Sequence, residues 1–189
     1  MATSLAQGAL PSGTTTVVVP MRTVYTTFGL LFLVAMVGGR ALYRYFWGPA
    51  GGSSTWIFWL LVVGAAIGHE GLHGLAMVLC GVRLRDVRFG FQLSRGAAYA
   101  TTATPMSARG YRLVCALPLV VLGAVPLAAG LACGQHLAAE LGGVMVAASG
   151  GDVAILLALR GVAPDARVMD HGSEPGFHLL PQHPVAPTH

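Results

Sequence analysis

Two histidines and a glutamate inside an apolar stretch, His69-Glu70-Gly71-Leu72-His73, have the types and spacing to do chemistry. On an α-helix, residues four apart sit one turn above each other on the same face. Two imidazoles placed that way can hold one Zn²⁺ at about 2.0–2.1 Å each. Glu70, about 100° round the helix, can reach a water activated by that metal. It would take the water's proton as the oxygen attacks a carbonyl. With only seven His and three Glu in 189 residues, an HExxH run is uncommon by chance. A charged group in mid-membrane is costly, so those found there usually have a partner and a function.

A catalytic zinc takes three protein ligands and leaves a position open, and HExxH supplies two. No third histidine follows at the spacing of the extended motif; Met77, Val78 and Leu79 occupy the region after Ala76. Asp152 is the only charge in the last apolar stretch. It lies eight residues before Arg160, while His73 lies ten before Arg83. In antiparallel helices rising 1.5 Å per residue, those depths agree. Asp152 is therefore the candidate third ligand, the other reading being a cavity carboxylate bonded to another span. Ala147-Ala148-Ser149-Gly150-Gly151 before it would let helix backbones approach closely. Gly150-Gly151 is expected to break the helix, with Ser149 capping a new turn.

The elements that position these residues follow from composition. Apolar residues make up 54% of the chain and charged ones 10%, and mean hydropathy is +0.68. Soluble domains average about 25% charged residues, so a soluble globular enzyme is excluded, and disorder with it. All eleven basic residues are Arg, most of them set between apolar stretches. That pattern fixes membrane orientation and does not make a nucleic-acid surface. Cys80, Cys115 and Cys133 form neither a disulfide framework nor a CxxC site.

The expected fold is an all-α integral membrane protein of about four transmembrane helices. Its spans are about 23–45, 55–80, 111–135 and 139–160, with Pro118 and Pro126 kinking the third. Val87, Phe89, Phe91 and Leu93 alternate with polar residues, which predicts a strand. Ser94-Arg95-Gly96 can turn it back through Ala97 to Ala103, giving a short membrane-adjacent β-hairpin, 82–104, between the second and third helices. Residues 1–22 read as a flexible tail, 23–160 as the membrane domain, and 161–189 as a C-terminal tail rich in Pro and His. In that tail His171, His178, His183 and His189 read as solvated, and Asp165 and Asp170 as capping or surface residues. Nine Arg flank one side of the four-span arrangement and two the other, so both termini and the 81–110 connection are expected in the cytoplasm of a multi-pass cell-membrane protein.

HExxH followed by Gly81, Phe89-Gly90, Ala98-Tyr99, Pro105, Ser149-Gly150-Gly151-Asp152 and then Asp170 with Gly176-Phe177 resembles the putative zincin peptidase family. That family comprises small prokaryotic membrane proteins similar to the site-2 protease clan. The resemblance, over about residues 55–180, implies a zinc metalloprotease core with His69, His73 and Asp152 as ligands and Glu70 as catalytic base. Gly-Gly-Asp-Val around Asp152 departs from the Asn-Pro-Asp-Gly or Leu-Asp-Gly setting of the better-known site-2 proteases.

The expected function is a membrane-embedded zinc metalloprotease with one Zn²⁺ per chain. It would cut a peptide or membrane-protein substrate docked as an added strand on residues 87–93, with Tyr99 and Arg109 near the substrate. A non-catalytic zinc-binding scaffold and a proton- or ion-coupled carrier built on the same four residues are the alternatives. The partners expected are the lipid bilayer and that substrate, and no nucleic acid.

Overall fold

A computed structural model describes residues 10–49, 55–92 and 97–181. Strand β1 (Thr15–Val18) leads into helix α1 (Met21–Trp47), and α2 (Thr55–Leu79) follows. A 3₁₀ turn at Leu84–Asp86 precedes β2 (Val87–Gln92) and β3 (Ala97–Thr102). β4 (Met106–Ser107) enters α3 (Ala108–Cys133), with Ser107 Oγ capping the helix on the Gly110 N–H at 3.1 Å. Helices α4 (His136–Ala148) and α5 (Gly150–Ala158) and strands β5 (Arg167–Asp170) and β6 (Gly176–Leu179) complete the order.

The chain is mainly helical, and among the described residues α1, α2 and α3 are each long and apolar enough to cross a membrane. Their outer faces leave Phe32, Val34, Trp56, Leu60, Ile67 and Val125 exposed, which suits lipid and not water. These are the marks of a helical membrane protein. α3 passes Pro118 through a π-helical segment, Leu119–Ala124, a wider turn that absorbs the missing N–H.

α4 and α5 pass the same length and hydropathy test as a pair, bent by 46° at Ser149. Ser149 does not cap the new helix. Its hydroxyl donates back to the Met145 carbonyl at 3.0 Å, the i−4 back-bond that bends helices. Gly150 is pressed against α1, where an added Cβ would lie 2.7 Å from Phe28 Cα. Only a residue without a side chain fits that crossing.

β2 and β3 pair antiparallel with Val87 opposite Thr102 and Gln92 opposite Ala97. The expected turn at 94–96 lies outside the described residues. The fold is not all-α, however. β1, β6, β5 and β4 form a four-stranded antiparallel sheet in that order. It recruits residues 15–18 from the expected N-terminal tail and 167–179 from the expected C-terminal tail. Burial drives this: Phe177 and Val168 have no exposed surface and pack with Met106, Tyr111, Val114 and Leu159. Arg112 adds a tie, its Nη2 donating to the Leu159 and Val162 carbonyls at 2.7 and 2.6 Å. A guanidinium there ties together two carbonyls at and just past the end of α5.

His178 on β6 is buried, bonded through Nδ1 to Thr16 Oγ1 at 2.9 Å and stacked on His171 at 4.8 Å between ring centroids. His183 and His189 lie outside the described residues. Burial first, and then the neighbouring His171, hold the His178 pKa below its ordinary value, against an opposing pull from Asp170. The folded state therefore binds the His178 proton less readily than the unfolded one. Its contribution is full above the unfolded pKa of about 6.5 and is lost as pH falls below that value.

Phe177→Ala should cost about 3–5 kcal/mol, seen as a lowered melting temperature in detergent; a tail residue would cost almost nothing. Melting of the wild type should fall more between pH 7.5 and 5.5 than melting of His178→Gln, as followed by scanning fluorimetry.

Candidate metal centre

His69, Glu70 and His73 lie in the last three turns of α2, and one ligand atom from each falls within 4.8 Å of the others. Both histidines are buried, with ring centroids 4.8 Å apart. Asp152, in the first turn of α5 just past the Ser149 bend, reaches both. Its Oδ2 lies 3.1 Å from His69 Nε2 and its Oδ1 3.3 Å from His73 Nε2. The two stretches are eighty-three residues apart in the chain for the first of these contacts.

Protons show what this junction wants. His73 Nδ1 lies 2.9 Å from the Val114 carbonyl, which can only accept, so Nδ1 carries the hydrogen. The Nε2 of a neutral His73 is then a bare lone pair facing a carboxylate. Two electron-pair donors at 3.3 Å repel each other unless a cation or an extra proton lies between them. Ligands about 2.0–2.1 Å from a tetrahedral ion stand about 3.3–3.4 Å apart, close to both N–O separations here. The donor set of two imidazole nitrogens and a carboxylate suits zinc, and the Val114 carbonyl is the outer partner that metal-binding histidines commonly have. His69 Nδ1 is buried without a hydrogen-bond partner among the described residues.

Glu70, within reach of both rings, also lines a cavity of about 350 Å³ with Ile67, Gly71, Phe89, Gly90, Ala98 and Tyr99. The Ala100 backbone N–H of β3 faces this carboxylate. Close packing shapes the hairpin over this space. The Tyr99 ring crosses Gly90, where a Cβ would lie 2.5 Å from Cζ, and Phe89 crosses Gly74 of α2 at 2.6 Å from the equivalent position. Of the two residues expected near a substrate, Tyr99 lines the cavity; Arg109 is exposed and is not among its lining residues.

All four expected site residues thus meet in space. Val114 and Ala100 act through their backbones; the signal for Val114 was Pro118, which lacks the N–H that would otherwise occupy its carbonyl, and Ala100 carries no signal in residue type.

A family model described as putative zincin peptidase matches residues 60–167. No curated protein and no solved structure matches the chain.

Proposed function

Because the chain belongs to the putative zincin peptidase family, we propose that it is a membrane-embedded zinc metallopeptidase that hydrolyses peptide bonds in or near the bilayer. The convergence of His69 and His73 with Asp152 inside apolar helices carries this reading. His69 and His73 would hold the zinc through Nε2 and Asp152 through a carboxylate oxygen, one ion per chain. Zinc in that place supplies a Lewis acid for a carbonyl oxygen and lowers the pKa of water to about 7.

The chain's own groups do the rest. Glu70 takes the proton of the attacking water and later gives it to the leaving amine, so its carboxylate is regenerated. The Ala100 N–H steadies the Glu70 carboxylate beside the cavity. The Val114 carbonyl keeps His73 Nδ1 protonated and Nε2 free. The apolar residues Ile67, Phe89 and Ala98 line the same cavity, and a substrate seated on them would displace water and strengthen the charge interactions inside.

The substrate is a peptide or membrane-protein segment, extended in the cavity between α2 and the hairpin. It pairs as an added strand with the outer edge of β2, which among the described residues has β3 as its only partner. Two features support that placement: Phe89 and Gly90 of β2 line the same cavity as Glu70, and a bound strand would present its scissile bond extended. The chain crosses the cell membrane four times, with the bent α4–α5 pair as one broken span. Its termini and the 81–110 connection lie in the cytoplasm, on the Arg-rich side. The ligand pattern of HExxH with a distant Asp is the ground for likening it to site-2 proteases.

Metal analysis of detergent-purified protein tests the centre. Wild type should hold about one zinc per chain, lost in His69→Ala and Asp152→Ala and kept in Glu70→Gln. Wild type without zinc under zinc-replete conditions sinks the reading. Cleavage of a fluorogenic apolar peptide should drop about 10²-fold or more in Glu70→Gln. Unchanged cleavage there would remove Glu70 as the base. Gly71 has open space where a Cβ would stand. Gly71→Leu should therefore fold and keep zinc yet fill the cavity, so that the same peptide is cut at least tenfold more slowly; normal turnover would place substrate elsewhere.

A further inference from the structure

The carboxylate of Asp170, on β5, accepts two hydroxyls from two different elements. Tyr111, in the first turn of α3, donates to Oδ1 at 2.6 Å, and Thr101, in β3, donates to Oδ2. The Tyr111 hydroxyl also lies 3.1 Å from the Gly176 carbonyl. Tyr111 and Thr101 are 3% and 5% exposed, so neither hydroxyl can exchange this acceptor for bulk water. Hydrogen bonds to a carboxylate are about twice as strong as those between neutral groups.

The neighbours of these two hydroxyls are what matters for the metal centre. Thr101 follows Ala100, whose N–H meets Glu70. Tyr111 lies three residues, about one turn, before Val114, whose carbonyl fixes His73. A single carboxylate therefore grips both backbone segments that orient the HExxH side chains. Asp170 itself is fixed by the sheet. Its register partner Phe177 and its near neighbour Val168 are both fully buried, so the carboxylate cannot shift without opening the core.

We propose that Asp170 is a positioning residue for the metal centre, a two-armed clamp whose Tyr111 arm sets His73 and whose Thr101 arm sets Glu70. The proposal rests on the zinc metallopeptidase reading of that centre. It gives the four-stranded sheet a task, since β5 delivers the clamp to a bundle of membrane helices. The arms act on different things. Loosening the Tyr111 arm frees a ligand; loosening the Thr101 arm frees the base and leaves the ligands alone.

The full-length chain in detergent, titrated with zinc against a chelator, separates the arms. Outer partners of metal ligands are worth about 10–100-fold in affinity. Tyr111→Phe, which acts one step behind that partner, should weaken zinc by about tenfold, the low end of that range, and alter the visible absorption of the Co²⁺-loaded protein. Thr101→Val should bind zinc within about twofold of wild type but speed amide exchange across residues 97–102. Asp170→Ala should do both, and Asp170→Asn, which keeps one acceptor oxygen, should recover part of the affinity. Should Asp170→Ala fail to fold, the two milder single-arm variants still decide. Tyr111→Phe with wild-type zinc affinity and an unchanged Co²⁺ spectrum overturns the clamp, whatever its melting temperature. Equal zinc loss in Tyr111→Phe and Thr101→Val also overturns it, leaving general loosening of the fold. If the wild type takes up no zinc at all, the metallopeptidase reading falls and the clamp with it. Zinc in the wild type with no effect of Tyr111→Phe removes the clamp alone.

Discussion

An ionised carboxylate among apolar helices must be met by positive charge or by donors, because its desolvation costs several kcal/mol or more. Asp152 is met by two imidazoles from a single turn of α2. One of them, His73, has already committed its Nδ1 hydrogen to the Val114 carbonyl. The three groups carry one net negative charge when both rings are neutral, and their spacing suits a divalent cation. The rest of the architecture serves to bring α5 to α2 at that depth and hold it there.

Helices in lipid gain nothing from hiding apolar surface, so they associate by close van der Waals contact. This bundle achieves it with glycine. Gly123 lies against Val146, where an added Cβ would stand 2.9 Å from Cγ2, and Gly143 lies as close to Met36. Gly150 meets the backbone of α1 directly. The path of α4 and α5 is set by these contacts, and the Ser149 bend turns Asp152 towards the histidines. Arg40 on α1 donates through Nε and Nη2 to one oxygen, Oε1, of Glu140 on α4, at 2.9 and 2.6 Å. The exposed half of that pair gains little from its charge, but it pins the register of the two helices.

The grouping of the candidate site residues was legible in the sequence because it is written in rare side chains. His, Glu and Asp stand out against apolar residues, and the 3.6-residue period places them on a face. The membrane helices and the hairpin strands were legible too, the former from long uncharged runs and the latter from alternation at 87–93. The four-stranded sheet was not. Its strands have four, four, four and two residues, too short for a period of two to show. They also come from distant parts of the chain, and their pairing is decided by where Phe177 and Val168 can be buried. Gly and Pro around 172–176 read as a tail by composition, whereas they form the turn between β5 and β6. Ser149 misled for a related reason. The same hydroxyl can cap a following helix or bond back to the preceding one, and only the packing of Gly150 on α1 decides between them.

Strand pairing also constrains how the chain is threaded. Hydrogen-bonded strands share one side of a bilayer, so the number of crossings between any two of them must be even. β1 and β4 belong to one sheet, and between them lie α1 and α2, each long and apolar enough to cross. β4 pairs with β5, and between these lie α3 and the bent pair. A chain that leaves through α3 has to return before β5, and the broken helix α4–α5 is the only stretch of described chain in which it can do so. If α1, α2 and α3 each cross, parity assigns the return to the pair bent by 46°, and Asp152 would ride on its returning half.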